Sequence, residues 1–404
     1  MNIVKRIARY NAERESERLA LKYQKMRASP FAFLRGSCHL FYERLAQGPR
    51  LPASPLVWAC GDLHLENFGS YQGDNRQVYF DINDFDEAAL APASWDVVRM
   101  LASLEIGLSE SGIKKTQVKD LCQAFVVAYA DTLAAGKSYW LERDTAQGPV
   151  RQLLDVLRER KRAHFLDSRT KGSGDKRRIR VDGIKALAAT TPQRRWVKAV
   201  IASFAKGQPE PRFFRVHDVA RRIAGTGSLG LERYIILIEG KGGPDGQFLL
   251  DLKLAPQSSL EPLLMAHLHV KQPRWPSQAH RILDLQTRLQ AVPMAFLHVL
   301  QTDEASYVLR ALQASEDRIS IASSGMTPQA LNVLIYNMGQ MLAWAHLRGT
   351  GRQGSANADA LIAFSSKKSW QTKLLLAATA CAVQARADAA IFNSAYDLGE
   401  FHSP

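Results

Sequence analysis

The stretch Trp58–Gly69, "WACGDLHLENFG", decides how the rest of the chain is read. Within six positions it places an acid (Asp62), a histidine (His64), a second acid (Glu66) and an amide (Asn67). Three readings compete: a catalytic loop, a metal site, or a polar turn whose Asp and Asn bond their own backbone. "FDINDFDEA", Phe80–Ala88, follows closely and adds Asp81, Asp84, Asp86 and Glu87. Acids packed this tightly repel one another, and a bound cation relieves that repulsion. An Asp followed five residues later by an Asn supplies a carboxylate to orient an attacking hydroxyl and a hard oxygen ligand for Mg²⁺. A short hairpin would then return Asp84 to the same place. The rival metal site is weak. "GDLH", Gly61–His64, resembles the first motif of metallophosphoesterases, but the G-N-H and G-H-x-H blocks that such a site also needs are absent from this chain.

Composition narrows the class without choosing the chemistry. A chain of 404 residues predicts two or three packed units, and 46% hydrophobic with 23% charged residues excludes disorder. Cys38, Cys60, Cys122 and Cys381 lie far apart with no C-x-x-C pair, which excludes a disulfide framework and a thiolate zinc site. The N-terminal "MNIVKRIARYNAERESERL" has no apolar core of signal-peptide length. The run "LLLAATACAV" from Leu374 is too short for a bilayer, so no membrane span and a soluble, cytoplasmic protein are expected. The net charge of +14 is concentrated in "RERKRAHF" (Arg158–Phe165) and "RTKGSGDKRRIR" (Arg169–Arg180). Without a nucleic-acid module beside it, such charge reads first as solvated surface, and nucleic acid is not the expected partner.

Periodicity gives an α+β order: helical to about residue 50 with a break at Pro30, mixed to 93, helical again, sheet-rich from about 211, and helical from Pro328. "PLVWAC" and "QVYFDI" read as strands, with "QGDN" as the turn between them. The Gly/Ser/Lys/Arg stretch 168–180 reads as a linker or loop. "LERYIILIEG" and "QFLLDLKLA" read as a hairpin around "KGGPDG".

Two further features carry chemistry. "GTGSLG", Gly225–Gly230, matches G-x-G-x-x-G, but a strand rather than a helix follows it, which argues against a dinucleotide fold. A glycine loop between antiparallel strands instead covers nucleotide phosphates with its N–H groups. Lys253 lies on the next strand, on the face opposite Leu250, Leu252 and Leu254, where a phosphate-binding lysine is required. Its expected acidic partner is Asp284 or Glu261.

Together these residues resemble the protein-kinase-like superfamily, and its aminoglycoside-phosphotransferase branch in particular. "DLHLEN" fits that superfamily's D-L-K-P-E-N or D-x-H-x-x-N catalytic loop. "NDFDEAALAPASWDVVRML", Asn83–Leu101, looks like the branch's acid motif. The resemblance implies that Asp84 binds metal and that Asp96 props up the catalytic loop. The chain is more closely similar to a bacterial family known as domain of unknown function 2252, through "KMRASPFAFLRGS", "GDLHLENFG", "NDFDE" and "GTGSLG". Two details depart from pattern: Cys60 stands where phosphotransferases often carry His, and Lys253–Leu254–Ala255 where the family usually reads K-E-A.

Motif order is the larger departure, since the catalytic loop precedes the glycine loop here. The resemblance therefore implies a circularly permuted, protein-kinase-like two-lobe fold. Residues 1–208 would form a large helical lobe with the catalytic loop, 209–315 a small sheet-rich lobe ending in the hinge strand "YVLRALQ", and 316–404 helices returning to the large lobe. The activity implied is an ATP- and Mg²⁺-dependent phosphotransferase acting on an unidentified hydroxyl acceptor. Asp62 would orient or deprotonate that hydroxyl, and His64 would lie near the transferring phosphate, its titration near neutrality making activity pH-dependent. Asn67 and Asp84 would hold Mg²⁺, with Asp86 or Asp81 as a second-metal or structural acid. Gly225, Gly227, Ser228 and Gly230 would cover the phosphates, Lys253 would contact them, and Arg35 is a further phosphate candidate. A nucleotidyl (AMP) transferase on the same fold and a non-catalytic nucleotide-binding protein are the alternatives.

Overall fold

Two periodicities, one of helices and one of alternating strands, build two main cores and smaller satellite clusters in the computed structural model. It describes residues 2–48, 50–242, 246–314, 317–319 and 325–401. The chain starts with α1 (Ile3–Tyr10) and α2 (Ser16–Ala28). Pro30 interrupts the helix as expected and then serves as the first residue of α3 (Pro30–Gly36), where Ser29 Oγ accepts from Ala32 N at 3.1 Å. α4 (Cys38–Gln47) leads to β1 (Leu56–Ala59), β2 (Phe68–Gln72), β3 (Val78–Ile82) and β4 (Ala89–Pro92). β1 pairs with β4 and β2 with β3, both antiparallel. The "QGDN" turn thus joins β3 to β2, "FGSYQ", whose glycine and polar residues hid it from a search for aliphatic strands.

α5 (Ala93–Glu110) and α6 (Lys115–Ala135) follow, then β5 (Leu141–Glu142) alongside β3, α7 (Gly148–Glu159) and α8 (Arg162–Arg169). Residues 168–180 are not a bare linker: β6 (Thr170–Lys171) and β7 (Arg178–Ile179) pair, and Ile179 N donates to Asp218 Oδ2 at 2.9 Å. Next come β8 (Ala186–Ala188), α9 (Thr191–Lys206), β9 (Val216–Arg222), β10 (Arg233–Ile238), β11 (Phe248–Leu254), α10 (Leu260–Leu268), α11 (Gln278–Leu289), β12 (Leu297–Gln301) and β13 (Ser306–Ala311). The β10–β11 hairpin forms as expected, and Gly243–Asp245 of its "KGGPDG" turn lie outside the described residues.

The main sheet is antiparallel throughout, in the order β12-β13-β11-β10-β9-β8. Alternation along β10 and β11 puts Tyr234, Ile236, Leu250 and Leu252 on one face, against Val197 and Ile201 of α9. β8 and α9 therefore belong with the sheet, which begins earlier in the chain than residue 209. The other face turns Arg233, Asp251 and Lys253 toward the helical body.

α12 (Pro328–Arg348), α13 (Ala358–Ser366) and α14 (Ser369–Asp397) complete the chain. The larger core is built from β1, β4, α5, α6, α12 and α14, with Leu101, Phe125, Leu342 and Leu374 among its fully buried residues. The segment leaving α12 docks on β1, through Ala356 N to Leu56 O at 2.8 Å and Trp58 Nε1 to Arg352 O at 3.0 Å. α14, at 29 residues, is long and apolar enough to cross a membrane by length and composition, which the run from Leu374 alone was not. Here Leu374, Ala378, Cys381 and Ala385 face the core, and Ala389 and Phe392 pack on Ile3, Ile7 and Tyr23.

Candidate active site

The Trp58–Gly69 loop is fixed from beneath. Asp96, fully buried on the first turn of α5, accepts from Cys60 N at 2.7 Å and from Gly61 N at 2.9 Å. His346 of α12 approaches the same carboxylate at 3.3 Å, and its Nδ1 is 2.9 Å from Tyr129 Oη. Asp96 thus takes the supporting role that the resemblance implied, with a histidine from the far end of the chain behind it. Ser103 Oγ accepts from Leu65 N at 3.0 Å, and Tyr42 Oη donates to Gly61 O. Gly61 has φ +82°, and a Cβ there would lie 2.2 Å from Glu87 O, so both the turn and the close approach require glycine.

Asp62 emerges from this platform. Its Oδ1 pairs with Arg99 Nη2 at 2.6 Å, and Arg99 is buried between Leu34 O and the Phe41 ring. Asn67 Nδ2 donates to Asp62 O, while its Oδ1 meets no donor among the described residues. His64 caps the short helical turn Leu65–Asn67 by accepting from Glu66 N at 3.2 Å. Burial, then Arg35, Arg99 and Arg318, push its pKa well below the usual imidazole value. His64 is therefore neutral across the physiological range, and the expectation that it titrates near neutrality is corrected.

The acids after β3 divide by direction. Asp81 turns away to Arg348 at 3.1 Å and to the N–H groups of Ile82 and Ala291, a structural role. Asp84 faces the cleft. Burial opposes its ionisation, but Lys253, at 3.9 Å, and then Arg318, Arg310 and Arg233 outweigh it and hold the carboxyl at about 2. Asp86 makes the direct ion pair with Lys253. The lysine's partner is thus Asp86, delivered by the loop after β3, and not the helix acid expected. Glu261 lies 3.6 Å from Arg281, and Asp284, on α11, is not among the residues lining the cleft.

The glycine loop joins β9 to β10 and hangs directly over Asp62. A Cβ on Gly227 would lie 3.1 Å from Arg35 O and 3.8 Å from Asp62 Oδ2. The loop's carbonyls are held by two N-terminal cations that the sequence did not flag, Arg14 in the turn between α1 and α2 and Lys22 on α2. Arg14 Nη1 donates to Gly227 O at 2.7 Å and Leu229 O at 2.6 Å, and Lys22 Nζ to Gly227 O at 3.1 Å. With the carbonyls taken, the N–H groups of Gly225, Thr226, Gly227 and Ser228 have no acceptor among the described residues. Such a row of unengaged N–H groups is a ready anion cradle.

The cleft between the two loops is narrow and open to solvent at its mouth. It gathers Asp62, His64, Asn67, Asp84, Asp86, Gly225, Gly227 and Ser228, together with Arg35, whose guanidinium pairs with Glu66. Gly230 and Lys253 stand just outside that lining, Gly230 packed on the Arg14 side chain. Glu87 and Arg318 also line the cleft and were missed as functional candidates. Beyond Lys253, Asp251 is surrounded by Arg222 and Arg233, each at 2.6 Å, and Arg310 at 3.3 Å. Cations therefore outnumber carboxylates in this buried region, which favours a bound anion.

No group of three His, Cys, Asp or Glu side chains is arranged as a metal cage among the described residues. Mg²⁺ does not require one, since it is commonly held by one or two protein oxygens plus phosphates and water. The Asp84 carboxylate and Asn67 Oδ1, both on the cleft, fit that donor set, whereas Asp86 is engaged by Lys253.

Neither a curated protein nor a solved structure matches the chain significantly. One family model does, over residues 14–395, with the description "Uncharacterized protein conserved in bacteria (DUF2252)". Its span includes both loops and every acid described above, and the chain belongs to this bacterial family.

Proposed function

We propose that the protein is an ATP- and Mg²⁺-dependent phosphotransferase with a circularly permuted kinase-like fold. The observation that carries this reading is the meeting of Asp62 Oδ2 and Gly227, which brings an acid–amide loop under a glycine loop encoded far away. Three features support it. Lys253 is on the third strand counted from β9, the strand that carries the phosphate lysine in protein kinases. A helical segment, α10–α11, separates that strand from the next. The chain leaving α12 docks on β1, so joining these two would restore the order glycine loop, lysine, catalytic loop, acid.

Asp62, held by Arg99, would orient the acceptor hydroxyl and take its proton. The free N–H groups of Gly225–Ser228 would hold the phosphates, with Lys253 and Arg318 balancing their charge. Asn67 Oδ1 and Asp84 would hold Mg²⁺, which when bound neutralises charge on the transferring phosphate. Neutral His64 would shape the loop without donating charge. The acceptor is a hydroxyl compound of unassigned class.

A second reading is favoured by the arginines around Asp251. A phosphate tail drawn toward that buried positive region would place ATP in reverse, the orientation for AMP transfer. Incubation with ATP, Mg²⁺ and a bacterial metabolite extract, read by mass spectrometry, separates the readings. ADP release with a phosphate adduct supports phosphoryl transfer, and pyrophosphate release with an AMP adduct supports the second. Neither product, or equal turnover by Asp62→Asn, contradicts both.

A further inference from the structure

The basic run Arg158–Arg162, first read as solvated surface, rims a cavity distinct from the cleft. The chain bends between α7 and α8, and this elbow hangs over the end of the sheet where β11 begins. The cavity holds about 320 Å³ and opens to solvent. Asp317 lines it, whereas the next residue, Arg318, lines the cleft, so the two spaces lie on opposite sides of one short segment. Arg160 is spent on Asp317, at 2.5 Å.

Arg158 and Arg162 differ from Arg160. Both are exposed at the rim and neither has a carboxylate partner among the described residues, and Arg76 joins them from the β2–β3 turn. The floor beneath these rim arginines is apolar. Phe248 and Phe296 pack with ring centroids 5.9 Å apart, and Met294 and Phe165 extend the wall. Gln247 also lines the cavity; it is buried, its Nε2 donates to Gly174 O at 3.1 Å, and its Oε1 has no donor among the described residues. A buried acceptor without a donor is costly unless something satisfies it. Aromatic floor, one unused acceptor and a cationic rim are the parts of a small-molecule site.

We propose that this cavity binds a small amphipathic anion: an apolar or aromatic body seated on Phe248, Phe296 and Met294, carrying a phosphate held by Arg158 and Arg162. A hydroxyl or N–H of the ligand would satisfy Gln247 Oε1. Nucleoside monophosphates and alkyl phosphates share this chemistry.

The test uses the full chain and anilinonaphthalene sulfonate, an aromatic anion whose fluorescence rises on binding. Octyl phosphate, AMP and inorganic phosphate are each titrated as competitors. Displacement by octyl phosphate or AMP, but not by inorganic phosphate at the same concentration, is expected, and which of the two competes names the source. The Arg158→Ala/Arg162→Ala variant should weaken the competing ligand about tenfold or more, and Gln247→Leu should weaken it less. Both changes leave the cleft untouched, and a wild-type Tm for the double variant checks its fold. Equal displacement by inorganic phosphate, no displacement by either organic phosphate, or unchanged affinity in the double variant would each overturn the proposal.

Discussion

The loop 60–69 and the loop 225–230 face each other across the cleft, yet they are held in opposite ways. The first is fastened to the larger core: Asp96 takes two of its N–H groups, and Ser103, Tyr42 and Arg99 fix the remainder. Among the described residues, the second is bonded through its carbonyls, from Arg14, Glu15 N and Lys22, which precede it by some two hundred residues. The N–H groups of Gly225–Ser228 have no acceptor among the described residues. On the proposed reading, a firmly held acid lies beneath a loop whose N–H groups are unengaged, and group transfer requires that the acid be placed precisely.

This contrast can be broken experimentally. The largest effect is expected from Asp96→Ala, which orphans two buried N–H groups and removes one of the two ring partners of His346; urea denaturation should show a loss of about 3–5 kcal/mol. A loss as small as that from the glycine-loop clasp would end the distinction between the loops. Next is acid titration of Asp84. Its folded carboxyl titrates at about 2 against an ordinary 3.8, so its stabilisation is complete above 3.8 and vanishes as pH falls through 2. The effect is on the order of 2 kcal/mol, and Asp84→Asn should lack that acid-side loss when urea midpoints are compared between pH 5 and pH 3.

Arg14→Ala should cost only about 1–2 kcal/mol of stability, because it removes charge-assisted bonds at a loop edge. It should nevertheless weaken nucleotide binding, measured calorimetrically, more than its effect on stability would suggest. The smallest effect concerns His64. Its folded pKa is depressed, so the unfolded chain takes up a proton first as pH drops below 6.5 and stability falls with it. His64→Asn keeps a cap acceptor and should reduce this loss by about 1 kcal/mol between pH 6.5 and pH 5.5, read from urea midpoints.

Much of the candidate site was legible because its parts are local. Asp62, Asn67 and Asp84 fall within one short segment, and the glycine loop announces itself by composition. What the sequence hid are pairings between distant segments. Lys253 takes Asp86 rather than Asp284 because a loop after β3 reaches the sheet, which no periodicity records. Arg14 and Lys22 lie on an ordinary amphipathic segment, and only the folded chain gives their charge a carbonyl to hold. The start of the sheet was missed for a similar reason: β8 is three residues long and acquires its identity from pairing with β9.

The most direct test of the central claim is a thermal shift of the full chain with ATP, with and without Mg²⁺, repeated on Lys253→Met. The account predicts that ATP and Mg²⁺ together raise Tm by about 2–5 °C at saturating ligand, and that the variant responds far less. An unchanged Tm at millimolar ATP and Mg²⁺, or an equal shift in Lys253→Met, would contradict it.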